Sequence, residues 1–139
     1  MKILFKDFSI ETKGENDMVD ITDNLDKLLN QAKINNGLLT IFVPGSTAAL
    51  TTIEYEPGLK IDFTSTLKRL VPKNITYEHD KTWHDGNGHS HVKASIIGPS
   101  LTIPFKDGKL TLGTWQQVVL IEMDTNSRSR RLVIQMMGE

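Results

Sequence analysis

The sequence predicts an α+β domain with a mixed or mostly antiparallel sheet and two to three helices. Stretches of strand character outnumber helical ones and do not alternate with them, as the repeating units of a parallel sheet would. Helical spacing is clear in one segment only, with a second one after Pro57. From Leu101 onward the pattern is almost entirely strand and turn. At 139 residues the chain matches one ordinary domain, so residues 1–139 are expected to share one core.

Residues 2–12 place apolar side chains at Ile3, Phe5, Phe8 and Ile10 with a slip in the middle, which predicts an edge strand with a bulge. Met18 to Ile21 reads as a short pairing strand. Thr22 is placed to cap a helix whose apolar positions Leu25, Leu28, Leu29 and Ala32 recur at helical spacing, with Asn35-Asn36-Gly37 as its stop. Leu38 to Val43 is a continuous apolar run, predicting a buried central strand ended by Pro44-Gly45. Ala48 to Glu54 continues as a strand, and Pro57 opens a second helix through Leu67 and Leu70 before Pro72. Four strands are expected in the second half: 101–104, 109–112 after the Asp107-Gly108 turn, 116–123, and 131–137. Val118, Leu120, Ile121, Leu132, Ile134 and Met136 are assigned to the core.

Zero cysteines exclude disulfides, thiolate zinc sites and cysteine nucleophiles together. A net charge of −1 gives no electrostatic reason to expect nucleic-acid or membrane binding. The opening apolar run is broken by Lys6 and Asp7, so it reads as neither a secretory segment nor a spanning helix, and a cytoplasmic protein is expected. There is no dinucleotide fingerprint and no nucleophile elbow.

All four histidines fall between His79 and His91, interleaved with Asp80, Asp85, Gly86 and Gly88. Imidazole is the commonest neutral metal ligand, so such clustering points to metal chemistry. His89 and His91 are two apart: on an extended backbone both imidazoles face one side, whereas on a helix they diverge by about 200°. Gly86 and Gly88 disfavour a helix through this stretch, so a loop is expected to hold both, with His79, His84 or Asp85 as a third ligand. Three protein ligands with one open position suit a catalytic divalent ion. Ser90 is read as the cap of a short helix from His91 to Ile96, stopped at Gly98-Pro99.

Two further features suggest anion binding. The turn Pro44-Gly45-Ser46-Thr47 offers hydroxyls and amides to a phosphate, although it lacks the second glycine and lysine of a P-loop. The tract Arg128-Ser129-Arg130-Arg131 is either a solvated strand start or a small anion clamp.

The string NGHSHVKASIIGPSLTIP at 87–104, GKLTLGTWQ at 108–116, the terminal strand from Arg130-Arg131 to Gly138-Glu139, and VPGSTAAL at 43–50 together resemble the YjbQ-like family, also called the secondary thiamine-phosphate synthase family. The resemblance spans nearly the whole chain. It implies a compact α+β fold, a homotrimer with the histidine site near a subunit boundary, and a weak ability to join a pyrimidine diphosphate to a thiazole phosphate. By the same resemblance His91 and His79, the latter within Tyr77-Glu78-His79, match the family's histidines, and Asn87 matches a polar position before the former. Many members carry histidine where this chain has Gly45, and His89 is assigned to fill that gap. Glu54 matches an acidic position after a threonine-rich strand, while Trp115 and Gln116 are assigned to support the site.

The resulting expectation is a metal-dependent enzyme acting on a phosphorylated small molecule. His79, His89 and His91 hold a divalent ion, with zinc foremost and magnesium the alternative for a diphosphate substrate. His91, Asp85 and Glu54 are the catalytic candidates. Ser46, Thr47, Asn87, Trp115, Gln116 and Arg130 are the substrate-binding candidates. The rival expectation is a non-catalytic trimer that binds a metal or a phosphorylated metabolite, and a third is that the histidines only tie subunits together.

Overall fold

The computed structural model describes residues 1–139. In chain order the elements are β1 (Lys2–Glu11), β2 (Met18–Asp20), α1 (Thr22–Ala32), β3 (Gly37–Phe42), β4 (Ala48–Ile53), α2 (Pro57–Leu70), α3 (Glu78–Trp83), α4 (Gly88–Ile97), β5 (Ser100–Lys106), β6 (Lys109–Leu110), β7 (Gln117–Glu122) and β8 (Ser129–Gly138). The strands form two sheets, one ordered β1-β8-β3-β5-β6 and the other β2-β7-β4, and every pairing is antiparallel. The α+β class and antiparallel sheet expected from the sequence are present, with four helices in place of two or three.

Strand β7 explains the layering. Alternate residues of a strand face opposite sides, and here both sides are apolar. Val118 and Leu120 join Leu39, Ile41, Leu132, Ile134 and Met136 of the larger sheet in one core, into which α1 inserts Leu25 and Leu29. Val119, Ile121 and the following Met123 pack on the other side against Leu67 of α2 and Ala94 of α4. The smaller sheet thus lies between the larger sheet and the helices α2 and α4.

Four local expectations are corrected. β1 pairs with β8 without a bulge, from Lys2 opposite Gly138 to Glu11 opposite Ser129. The slip in its pattern is a change of face, because Leu4, Phe8 and Ile10 join the core while Ile3 and Phe5 stand outward, 61% and 59% exposed. β3 is central but covered on one face only, since Leu39 and Ile41 are buried while Leu38 and Phe42 are exposed. The doubly covered strand is β7. Thr22 is the first residue of α1 and not its cap. Its hydroxyl accepts from the Val118 amide, and its own amide donates to Asp20 Oδ1, tying α1 to β7. α1 also stops earlier than its asparagines suggest, with Lys33 in the left-handed conformation so that Ile34 turns back into the core. The Asp107-Gly108 turn is as expected, with both residues at positive φ, as a two-residue hairpin loop with matching twist requires.

Candidate functional site

The histidine segment is mostly helical, which decides the geometry of the site. α3 carries His79 and Asp80, a turn with Gly86 at φ 67° follows, and α4 begins at Gly88. Glycine is needed at 88 for closeness and not for φ: a Cβ there would lie 2.4 Å from Tyr77 Cβ. Asp80 Oδ1 accepts from the Gly88 amide at 2.9 Å and Asp85 Oδ1 from the Asn87 amide, so both carboxylates hold the start of α4.

Helix α4 overturns the His-x-His chelate. Its start lies three residues before the expected His91, and its cap position is Asn87, not Ser90, whose hydroxyl donates to Asn87 Oδ1. At about 100° per residue His89 and His91 point to different sides of the helix. His91 meets His79, their ring centroids 4.2 Å apart. His89 turns inward, 1% exposed, beside Glu15 and Tyr77. His84 is exposed at the left-handed end of α3.

The group best placed for a metal is His79, Asp80 and Asp85, whose candidate ligand atoms all lie within 4.8 Å of one another. His79 Nδ1 is buried, has no hydrogen-bond partner, and lies 3.6 Å from both Asp80 Oδ1 and Asp85 Oδ1. An orphaned imidazole nitrogen between two carboxylates is a donor set that fits a divalent cation. Asp80 was not among the sequence candidates, although it adjoins His79 in the chain.

His91, whose ring packs on that of His79, also lines a cavity of about 240 Å³ together with Ser46, Gly45 and Ser95, among others. Ser46 thus shares a cavity with His91, but not with His79, His84 or His89. Thr47 and Arg130 are held in a buried network, Arg130 through Nε and Nη2, with Nη1 lying beside Gly45. Thr47 Oγ1 donates to Asp124 Oδ2 and accepts from Arg130 Nη2. Arg130 Nε and Nη2 donate to the two oxygens of Glu122, which is fully buried. A Cβ at residue 45 would lie 2.8 Å from Arg130 Nη1, so the absence of a side chain there makes room for the guanidinium.

Nor is the basic tract an anion clamp. Arg128 pairs with Asp124, Arg130 with Glu122, and Arg131 with Asp7. Burial pushes the Asp124 carboxyl up, but hydrogen bonds from the Asn126 amide, Thr47, Asn87 and Arg128 outweigh it and hold the group below the ordinary aspartate range. Asn87 is likewise structural: buried, it donates to Asp124 and accepts from Ser90 and from the amide and hydroxyl of Thr125. The signal for this network was present in the sequence as Glu122 and Asp124, two acids inside the apolar run at 118–124.

Glu54, Trp115 and Gln116 are remote from the histidines. β4 begins next to Thr47 and ends at Ile53, so Glu54 lies beyond a strand about 20 Å long. Trp115, 73% exposed, shares a surface pocket with Glu54 at that end. Gln116 donates to Thr52 Oγ1 and accepts from the Gly113 amide, closing the turn before β7. Within one chain these three cannot act at the histidine cavity.

A family model described as UPF0047 protein YjbQ-like matches residues 6–139. A UPF0047 protein of Methanocaldococcus jannaschii is 36% identical over 140 residues, spanning 100% of this chain and 97% of that protein. The solved structure of a YbjQ-like protein of unknown function from Sulfolobus solfataricus P2 superposes with a TM-score of 0.91 at 33% identity, covering 99% of each chain. A hypothetical protein from Aeropyrum pernix K1 gives 0.89 at 33% identity, covering 98% of this chain and 99% of that one. No helix is long and apolar enough to cross a membrane.

Proposed function

This chain belongs to the UPF0047 YjbQ-like family, and from that premise we propose that it is a metal-dependent enzyme acting on a phosphorylated small molecule. The observation that carries the reading is the orphaned His79 Nδ1 between Asp80 and Asp85, on a ring packed against His91, which lines a cavity with Ser46. A divalent ion there, zinc foremost and magnesium with a diphosphate, would supply Lewis acidity toward phosphoryl oxygens. The protein's part is to orient: Asp80 and Asp85 fix the start of α4, and α4 in turn fixes His91 against His79. Ser46 offers an exposed hydroxyl, and His91 is placed to exchange a proton at a substrate oxygen within the cavity. A thiamine phosphate synthase-like transfer, in which a thiazole phosphate displaces diphosphate, is the reaction the family resemblance brings forward.

The assembly proposed is a homotrimer. Its support is the outer face of the larger sheet, where Ile3, Phe5, Leu38, Phe42 and Met137 stand exposed on three adjacent strands. Apolar side chains gathered on one face of a soluble protein mark a contact surface.

A non-catalytic binder of metal or phosphometabolite is the second reading. It is favoured by the commitment of Thr47, Asn87 and Arg130 to the protein's own network, which leaves the cavity without an arginine. Elemental analysis of protein purified without an affinity tag tests both. Near one metal per chain, lost in His79→Ala, sustains the site, and turnover of phosphorylated substrates by the loaded protein then separates enzyme from binder. Metal-free wild type after metal supplementation rejects the metal-dependent enzyme and the metal binder, and a lack of phosphometabolite binding by the same protein rejects the second reading altogether.

A further inference from the structure

The face of α4 turned away from His91 carries a second polar cluster. His89 and Lys93 are four residues apart, hence on one side of the helix, and both are almost completely buried, at 1% and 2% exposure. Both approach Glu15 Oε1, Lys93 Nζ at 3.4 Å and His89 Nδ1 at 3.8 Å, while Glu15 Oε2 accepts from Lys73 at 2.8 Å. In front of Lys93 and Glu15, with His89 behind them, opens a cavity of about 390 Å³ lined also by Lys68, Lys73, Asn16 and Asn74, together with Val71 and Pro72.

Two imbalances make this a built site. Three ammonium groups face one carboxylate, so the cavity carries surplus positive charge. The buried groups are also underpaired. An ammonium has three donors, and Lys93 makes one long bond, while both ring nitrogens of His89 are buried without any partner. Buried polar groups in native proteins normally find partners, and leaving them unpaired is costly. Burial also holds the Lys93 ammonium below the ordinary lysine range, against the pull of Glu15.

We propose that this cavity binds a phosphate-class oxyanion, with Lys68, Lys73 and Lys93 as counter-charges and the side-chain amides of Asn16 and Asn74 as further donors. Lysines suit the role as mobile point charges on a tetrahedral anion, and Lys93 gains the acceptors it lacks. The site stands on the opposite side of α4 from the histidine cavity and does not depend on the reading given above for that cavity.

The test is calorimetric titration of inorganic phosphate, and separately of glycerol 3-phosphate, into chelator-treated tag-free protein, with sodium chloride at equal ionic strength as the blank. The exposed lysines are changed, so that folding is kept: Lys68→Ala with Lys73→Ala. Saturable binding to wild type is expected, weakened about tenfold or more in the lysine variant, since charged hydrogen bonds are each worth that much. A Lys109→Ala variant, which removes an exposed lysine that lines neither cavity, should bind as wild type does. Which of the two ligands binds more tightly tells free phosphate from a phosphorylated metabolite. The proposal is overturned if wild type shows no saturable binding of either ligand, or if the lysine variant binds as tightly as wild type.

Discussion

Glu122 and Arg130 form a two-pronged ion pair in which Nε donates to Oε2 at 2.8 Å and Nη2 donates to Oε1, at a position where the carboxylate is fully buried. Glu122 also accepts from Thr12 Oγ1 and the Asp124 amide, so all its acceptor capacity is spent inside the protein. Removing one partner of such a pair leaves a buried charge uncompensated. Glu122→Ala should lower stability by about 3–5 kcal/mol, read from urea unfolding midpoints.

Metal content should separate the two histidines of the His-Ser-His run. His91→Ala faces the His79 cluster and should weaken metal retention, whereas His89→Ala should retain metal at the wild-type ratio. Equal loss in both variants would mean that α4 unwinds to let His89 turn toward the ion.

Asp124 sets a stability trend with pH. Its folded-state carboxyl lies below the ordinary aspartate value, so the unfolded chain binds the proton first on acidification. The stabilisation is therefore complete above about pH 4 and is lost as pH falls through the folded-state value. Thermal unfolding from pH 6 down to about 2.5 should show a shallower acid limb in Asp124→Asn than in wild type, at a lower plateau.

Two glycines flanking Asn87 should respond differently to alanine. Gly88→Ala drives a Cβ into Tyr77 Cβ and should cost about 1–3 kcal/mol, with weaker metal retention because α3 and α4 must part. Gly86→Ala meets no atom within 4 Å and pays only for a left-handed backbone, about 1–2 kcal/mol. Denaturation midpoints of the two variants measure the difference.

If the outer sheet face joins subunits, Phe5→Lys should lower the mass seen by light scattering while far-ultraviolet circular dichroism stays unchanged. Phe5 pairs with Gln135 of β8 at the sheet edge and takes no part in the inner core. An unchanged mass would send the search for the subunit contact to another face.

Strands and turns were legible because their signals are local: alternation, apolar runs, and Asp107-Gly108. The face assignments of β1 and β3 were not, since Ile3, Phe5, Leu38 and Phe42 look like core in sequence and stand exposed in this chain. The histidine segment misled for a physical reason. Two glycines argue against a helix, yet Gly86 lies in the turn before it and Gly88 serves as its first residue, where Tyr77 leaves no space for a Cβ. Asn87, Thr47 and Arg130 carry the chemistry of ligand binders, and most of it is taken up by Glu122, Asp124 and Thr125, partners set by the pairing of β7 with β4 and by the turn into β8.

The contact between Gly45 and Arg130 also orders the mutational routes open to this protein. With the guanidinium at its present place, any side chain at 45 collides with Nη1. An imidazole at 45 therefore requires the Arg130 guanidinium to shift, and the nitrogen in its way, Nη1, makes none of the bonds to Glu122 or Thr47. Positions 45 and 130 are thus coupled: a side chain at 45 is admitted only as far as the tip of Arg130 can swing without losing Glu122.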